Sequence, residues 1–304
     1  MHQYPNCLLL FLYLASCSFL QAQDSISLHP REILNTTQSF ENFTIKDGLP
    51  SNRILDVLED CFGYFWIATE AGLSRFDGEN FVNYYHNAND STSLSNDYIN
   101  RLAEDSKGQL WIGTQYGLNK LNRKDYTFQR YIHDPYVHTG LPGNYIKAIL
   151  PDTAGILWLE TANGFLSKFN TLTNHFKNFG HPPVHQIEAN YPSHGIKKMS
   201  DGNLFVAGRG FYPFTFDAKN NKIQEIETLK PTVQSHYFCT IYEGKKDYNW
   251  IGNSANKLVL TDKHFQNPRP YEKIGSIHEI VADDQDLLWM GDKQNSISSL
   301  VTND

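Results

Sequence analysis

The sequence predicts an all-β chain of repeated four-stranded antiparallel sheets. Three observations carry that prediction: the composition, a repeat, and the turn residues inside the repeat. Of 304 residues, 40% are hydrophobic and 13% aromatic, while only 19% are charged. Phe (19) and Tyr (17) are plentiful and Met (3) is scarce, a balance that favours strands over helices. So much apolar surface excludes a disordered chain. A net charge of −7 offers no basic face to nucleic acid. Beyond the first 23 residues no apolar run is long enough for a membrane helix.

The repeat is the strongest signal. Trp66, Trp111, Trp158, Phe205, Trp250 and Trp289 follow one another at intervals of 45, 47, 47, 45 and 39 residues. FWIATEAGLSRF (65–76), LWIGTQYGLNKL (110–121) and LWLETANGFLSKF (157–169) are copies of one pattern. Weaker copies are LFVAGRGFYPFTF (204–216), NWIGNSANKLVL (249–260) and LWMGDKQNSISSL (288–300). In the first unit, Ile54–Glu59 alternates apolar and polar residues and ends in the turn Asp60-Cys61-Phe62-Gly63. Phe65–Thr69 is a second strand, Gly72 a turn, Leu73–Phe76 a third strand, and Phe81–Tyr85 a fourth after Asp77-Gly78. One such meander cannot bury both faces, so neighbours must stack on it. A period near 45 residues with four strands is that of a β-propeller blade.

The repeated side chains are expected to be scaffold. One Trp per unit on the second strand fills the wedge between blades, which is favoured over a ring of ligand-binding tryptophans. Asp60/Gly63, Asp105/Gly108, Asp152/Gly155 and Asp201-Gly202 recur in the first turn. There the carboxylate accepts backbone N–H groups and Gly takes positive φ, a better account than calcium or catalysis.

Closure follows from the ends. Phe40-Glu41-Asn42-Phe43 matches the fourth strands Phe81-Val82-Asn83-Tyr84, Phe128-Gln129-Arg130-Tyr131 and Phe176-Lys177-Asn178-Phe179. The sixth unit offers three strands, near Ile277–Val281, Leu287–Gly291 and Ser296–Leu300. An N-terminal strand completing that blade would close six blades; an incomplete seven-bladed ring is the alternative.

Residues 1–22 read as a signal peptide, with the uncharged run Cys7–Leu20 and a small residue, Ala22, before Gln23. Leu14-Ala15-Ser16-Cys17 is an alternative lipoprotein site with Cys17 acylated, disfavoured because Phe19 and Leu20 continue the apolar run. Residues 23–39 form an exported linker, and 40–304 the propeller. Cys61 and Cys239 then remain, 178 residues apart, and are expected as two buried thiols.

Asp47-Gly48-Leu49-Pro50-Ser51-Asn52, followed by a strand, Asp-x-x-Gly and Trp-Ile-x-Thr-x-x-Gly-Leu, resembles the two-component regulator propeller repeat. Gly140-Leu141-Pro142-Gly143-Asn144 repeats the opening, and Ser93-Leu94-Ser95-Asn96 is a looser copy. The resemblance covers about residues 40–300, with the first three units most specific. It implies the periplasmic sensor region of a Bacteroidetes-type hybrid histidine kinase, in a family whose sensors commonly recognise oligosaccharides and control polysaccharide-utilisation genes. Members usually carry two seven-bladed propellers, a β-sandwich, a transmembrane helix and a kinase core. This chain shows about six blades and none of those later parts, which implies a truncated sensor gene or the first fragment of one.

No enzyme is expected. Gly-x-Ser-x-Gly, His-Glu-x-x-His and Gly-Lys-Ser/Thr phosphate loops are absent, so no catalytic residue, metal ligand or cofactor is assigned. His181 and His185 flank two prolines that forbid the helix placing them on one face. Asp283-Asp284-Gln285-Asp286 reads as a solvated turn rather than a calcium site. Asn-x-Ser/Thr triplets at Asn35, Asn42 and Asn89 carry no weight in an Asn-rich chain. Tyr84-Tyr85-His86, Tyr131-Ile132-His133 and Tyr136 could serve a ligand, but covering blade edges is the favoured role; the ligand-binding residues stay unassigned. The expected partner is an oligosaccharide or other small molecule, with a homodimer as the signalling unit and no nucleic acid. A stand-alone binding module or gene remnant is the alternative, and a propeller lyase or hydrolase a more distant one.

Overall fold

In the computed structural model the described residues are 42–152, 155–180, 195–207, 213–229, 238–244, 247–253, 257–272, 277–283, 287–292 and 297–300. They form six consecutive antiparallel meanders. Blade 1 is β1 (Ile54–Glu59), β2 (Phe65–Thr69), β3 (Gly72–Phe76) and β4 (Phe81–Tyr84). Blade 2 is β5 (Ile99–Glu104), β6 (Leu110–Thr114), β7 (Gly117–Asn122) and β8 (Thr127–Tyr131). Blade 3 is β9 (Ile146–Asp152), β10 (Ile156–Thr161), β11 (Leu166–Asn170) and β12 (His175–Phe179). Blade 4 is β13 (Ile196–Lys198), β14 (Leu204–Val206), β15 (Phe214–Asp217) and β16 (Lys222–Glu225), followed by a 3-10 turn at Glu227–Leu229. Blade 5 is β17 (Phe238–Glu243), β18 (Tyr248–Asn253), β19 (Lys257–Asp262) and β20 (Arg269–Glu272). Blade 6 has three strands, β21 (Ile277–Ala282), β22 (Leu288–Asp292) and β23 (Ile297–Leu300). The expected strands of units one and six thus agree with these to within one or two residues.

The hydrophobic effect acts between the sheets. Trp66 and Ala68 of β2 pack with Leu94, Ile99 and Leu102 of blade 2. Trp111 meets Ile146 and Leu157, Trp158 meets Ile196 and Phe214, and Trp250 meets Ile277 and Leu288. Phe205 takes the same place against Ile241 and Val259. Each large ring is buried against the following blade, as the wedge argument requires.

The Trp and the turn Asp prove to be one device. Asp60 Oδ1 accepts the Phe62 and Tyr64 amides, and its Oδ2 accepts Trp66 Nε1 at 2.8 Å. Asp105 does the same for Lys107, Gln109 and Trp111 Nε1. Asp283 does so for Leu287 and Trp289 Nε1, which places this member of the acidic cluster in the scaffold. Asp201 holds the Asn203 amide. In blade 3 Asp152 pairs with Lys198 instead, and Trp158 Nε1 lacks a partner among the described residues.

The motif that opens blades 1 to 3 is a clasp. Asn83 Nδ2 donates to the Gly48 carbonyl, and Asn178 Nδ2 to that of Gly140. In blade 2 Arg130 holds the Ser93 carbonyl. The amides of His86 and His133 donate to Asp97 and Asn144 at the end of the loop, and the Ile45 amide donates likewise to Asn52. Phe43 lies 5.0 Å from the Phe76 ring and 5.5 Å from the Phe81 ring, as Tyr131 lies against Phe169 and Phe176 of the blade after it. Phe43 therefore stands at the entry to blade 1 as a fourth-strand end does at later blades. Phe40 and Glu41 of the expected closing strand, the signal peptide, the linker, Cys17 and the His181–His185 pair lie outside the described residues.

One expectation is corrected. Cys61 is exposed, not buried, because it sits at the tip of the β1–β2 turn with its amide held by Glu104 of blade 2. The Cys239 side chain lies outside the described residues.

Candidate functional site

The first strands of successive blades lie side by side, β1 against β5 and β5 against β9. Register shifts mark β-bulges in the first strands of blades 1, 2, 3, 5 and 6. A bulge re-aims the side chains beside it. Here charged residues cluster about the axis: Asp56 on β1, Arg101 on β5, Lys147 on β9, Lys197 on β13 and Glu279 on β21. Several tie one blade to the next. Asp56 Oδ2 accepts the Leu102 amide at 2.9 Å, Arg101 reaches the Leu55 carbonyl, and Lys197 Nζ donates to the Ile241 carbonyl at 2.9 Å. Burial pushes the Asp56 and Glu279 carboxyls up, opposed by Arg101 for Asp56 and by Lys197 and Arg101 for Glu279. Burial likewise pulls Lys197 down, with Glu279 and Glu243 opposing.

Glu160 is the outlier of this cluster. It lies on β10 two residues after Trp158, facing blade 4. The same position holds Ala68, Gly113, Ala207, Gly252 and Gly291 in the other blades. Small size is required in blades 2 and 5, since a Cβ on Gly113 would stand 2.7 Å from Ile146 Cγ2 and one on Gly252 2.6 Å from Ile277 Cγ2. In blade 3 the carboxyl fits because Gly195 faces it; a Cβ on Gly195 would overlap Glu160 Oε2 and the Ala207 carbonyl. Glu160 is only 2% exposed, and neither carboxyl oxygen has a hydrogen-bond partner among the described residues. Burial raises its pKa from 4.5 to about 7, with Lys147 and Arg101 opposing. An unpartnered buried carboxyl destabilises a fold, and such departures from a repeat mark functional positions.

Above the first strands lies a rim. Arg53, Tyr98, Tyr145 and Gly195 each occupy the residue just before the first strand of blades 1 to 4. The Tyr98 and Tyr145 carbonyls accept the amides of Gln115 and Ala162 in the β6–β7 and β10–β11 turns, which fixes both backbones. The half-buried Tyr145 hydroxyl is pushed up by burial and by Tyr98, with Arg101 and Arg53 opposing. Arg53 also pairs with Glu70 at 3.1 Å on the surface.

The aromatic and His residues considered from sequence fall elsewhere. Tyr84 packs on Trp66 and Phe128, and Tyr131 on Trp111 and Phe169, all at blade seams. The Nδ1 atoms of His86 and His133 lie 2.7 Å from the Leu94 and Leu141 carbonyls, inside the clasps. Tyr136 is 91% exposed on the loop before blade 3. Edge-covering and clasping account for Tyr84, Tyr131, His86 and His133, while Tyr85 and Ile132, like Tyr136, are exposed. Glu160 was missed, although lining up the second residue after each Trp would have singled it out. No group of three His, Cys, Asp or Glu residues is placed to hold a metal among the described residues. The arrangement offers hydrogen-bond donors, acceptors and aromatic faces, the equipment of a binding site.

Residues 93–116 match the family described as two component regulator propeller. A curated relative, histidine kinase P4 of Formosa agariphila, is 42% identical over 61 residues, which is 20% of this chain and 4% of the kinase. The fold resembles the extracellular domain of a Bacteroides thetaiotaomicron protein described as a one component system, at 17% identity and TM-score 0.65, covering 86% of this chain and 38% of the other. It also resembles that of a B. thetaiotaomicron hybrid two component system, at 20% identity and TM-score 0.51, covering 86% and 42%. PorZ of Porphyromonas gingivalis, a surface component of the type-IX secretion system, matches at 12% identity and TM-score 0.57, covering 80% and 38%. The chain thus spans about two fifths of the length of these three solved structures. It is a β-propeller protein that carries the two component regulator propeller repeat.

Proposed function

We propose that this chain is the extracytoplasmic ligand-sensing propeller of a two-component signalling system, with an oligosaccharide as its ligand. The observation that carries the reading is the regulator propeller repeat at 93–116, supported by the 42% identity to a histidine kinase over 61 residues. The fold likeness to extracellular domains of bacterial signalling proteins agrees with export. The propeller contributes recognition, not chemistry. Signalling requires that ligand bind one of two arrangements of the sensor, such as two arrangements of a dimer, more tightly than the other.

The test is a calorimetric titration with a panel of purified plant and algal oligosaccharides, paired with sedimentation of free and loaded protein. Saturable binding to one class, with a change in association state, is the expected result. Binding without any such change leaves the fold likeness to PorZ as the better guide and favours a stand-alone binding module.

A further inference from the structure

We propose that the propeller parts at the seam between blades 3 and 4 in a step that precedes global unfolding. Blades 1 to 3 and blades 4 to 6 then separate as two bodies, each keeping its own sheets. This concerns how the scaffold moves, and it stands or falls independently of the ligand. Hydrogen bonds that cross the seams set this one apart. Between blades 1 and 2, Arg123 pairs with Asp60 at 2.7 Å, Asp56 Oδ2 accepts the Leu102 amide at 2.9 Å, and Glu104 accepts the Cys61 amide. Between blades 2 and 3, the Asn144 carbonyl accepts the Gly117 amide at 2.7 Å and Asn174 accepts the Tyr131 hydroxyl. Between blades 4 and 5, the Ile241 carbonyl accepts Lys197 Nζ at 2.9 Å and Glu243 accepts the Ser200 amide at 2.8 Å. Between blades 3 and 4 the described residues supply the Lys198–Asp152 pair, whose side chains are 43% and 21% exposed. An ion pair so open to water contributes little.

The same seam encloses polar atoms with nothing to bond. Trp66 and Trp111 donate to the turn carboxylates Asp60 and Asp105, whereas Asp152 pairs with Lys198 and leaves Trp158 Nε1 without a partner among the described residues. Glu160, two residues on, lies against Gly195 beside the Ala207 carbonyl with both oxygens unpartnered. Parting the blades returns all three atoms to water, which favours the open form. Trp250 Nε1 and Asn249 Oδ1 of blade 5 are also unpartnered, but both are neutral. The carboxyl makes the difference. Lys147 on β9 and Arg101 on β5 oppose its burial, and neither bonds it. Of the other charged groups on adjoining strands, Lys168 lies over the Trp158 ring, Lys197 donates to the Ile241 carbonyl, and Lys198 holds Asp152. Enclosed, the group titrates at about 7 and, once freed, near 4.5, so parting becomes easier as pH rises between those values.

Buried alanines in four seams allow a direct test. Ala148 lies in the core between blades 3 and 4, Ala68 between blades 1 and 2, Ala207 between blades 4 and 5, and Ala282 between blades 5 and 6. Each is changed singly to Cys in a chain in which Ser replaces every native cysteine, and alkylation by iodoacetamide is followed at pH 8 without denaturant. Urea unfolding of each variant gives the rate that global unfolding alone would allow, so a destabilised variant stays interpretable. Ala148→Cys is expected to react faster than that rate, and at least about tenfold faster than Ala68→Cys, Ala207→Cys and Ala282→Cys. Adding Glu160→Ala is expected to slow Ala148→Cys at least about tenfold, because parting then frees no carboxyl. Four rates that all match global unfolding overturn the proposal, as does a faster reaction at any of the other three seams. Fast reaction of Ala148→Cys that ignores Glu160→Ala also overturns it, since the opening then leaves Glu160 enclosed.

Discussion

Replacing Glu160 by Ala removes a carboxyl that folding forces out of water, and the consequence for stability depends on pH. In the folded chain its pKa stands at about 7 against an ordinary 4.5. Below pH 4.5 the group is protonated whether folded or unfolded, and it imposes no ionisation penalty. Between 4.5 and about 7 the unfolded chain releases the proton and the folded chain retains it, so stability falls as pH rises. Above about 7 both states are ionised and the loss is complete, at about 3 kcal/mol on the scale of 1.4 kcal/mol per pH unit. Asp56 and Glu279 titrate in wild type and variant alike and cancel in the difference. Urea unfolding of both proteins from pH 4 to pH 8 reads that difference. Glu160→Ala is expected to gain about 3 kcal/mol relative to wild type across this range, nearly all between pH 4.5 and 7. A difference that stays flat with pH would refute the claim that Glu160 is buried without a partner.

The Trp–Asp device makes a paired prediction. Trp66→Phe loses the Nε1 bond to Asp60, whereas Trp158→Phe removes a buried N–H that has no partner, so the first is expected to cost about 2 kcal/mol more by chemical denaturation. Burial raises the Asp60 pKa, but bonds from Trp66, Arg123 and the Tyr64 and Phe62 amides outweigh it and hold the carboxyl below its ordinary 3.8. Its contribution is therefore present above pH 4 and fades as pH falls. Asp60→Asn should cost about 2–4 kcal/mol at pH 7 and far less near pH 2, read from urea midpoints. Gly117→Ala should cost more than about 2 kcal/mol in thermal unfolding, since its φ is +112° and a Cβ there would lie 2.6 Å from the Tyr131 carbonyl.

Most of the scaffold was legible in the sequence because a blade is a local object. Its strands, turns and Trp recur within a few dozen residues, and each carries its own chemical reason. The hydrogen bond from Trp66 to Asp60 was not foreseen, since the two were read as separate motifs, yet it accounts for both. The site was harder to see for two physical reasons. Bulges in the first strands decide which side chains turn toward the axis, and nothing in the sequence announces a bulge at Asn100 or Lys147. The pairing of Glu160 with Gly195 joins two blades, so neither residue is informative alone. Cys61 was misjudged because thiols are usually buried, while the tip of a turn between blades is open to solvent.

Amide hydrogen exchange with and without a bound oligosaccharide tests the central claim most directly, because it maps where the propeller is engaged without presupposing a site. The account predicts slowed exchange at the amides of Gln115 and Ala162, which bond the Tyr98 and Tyr145 carbonyls, and along β5, β9 and β10. Slowing confined to the outer strands β4, β8 and β12, with those amides unchanged, would contradict it.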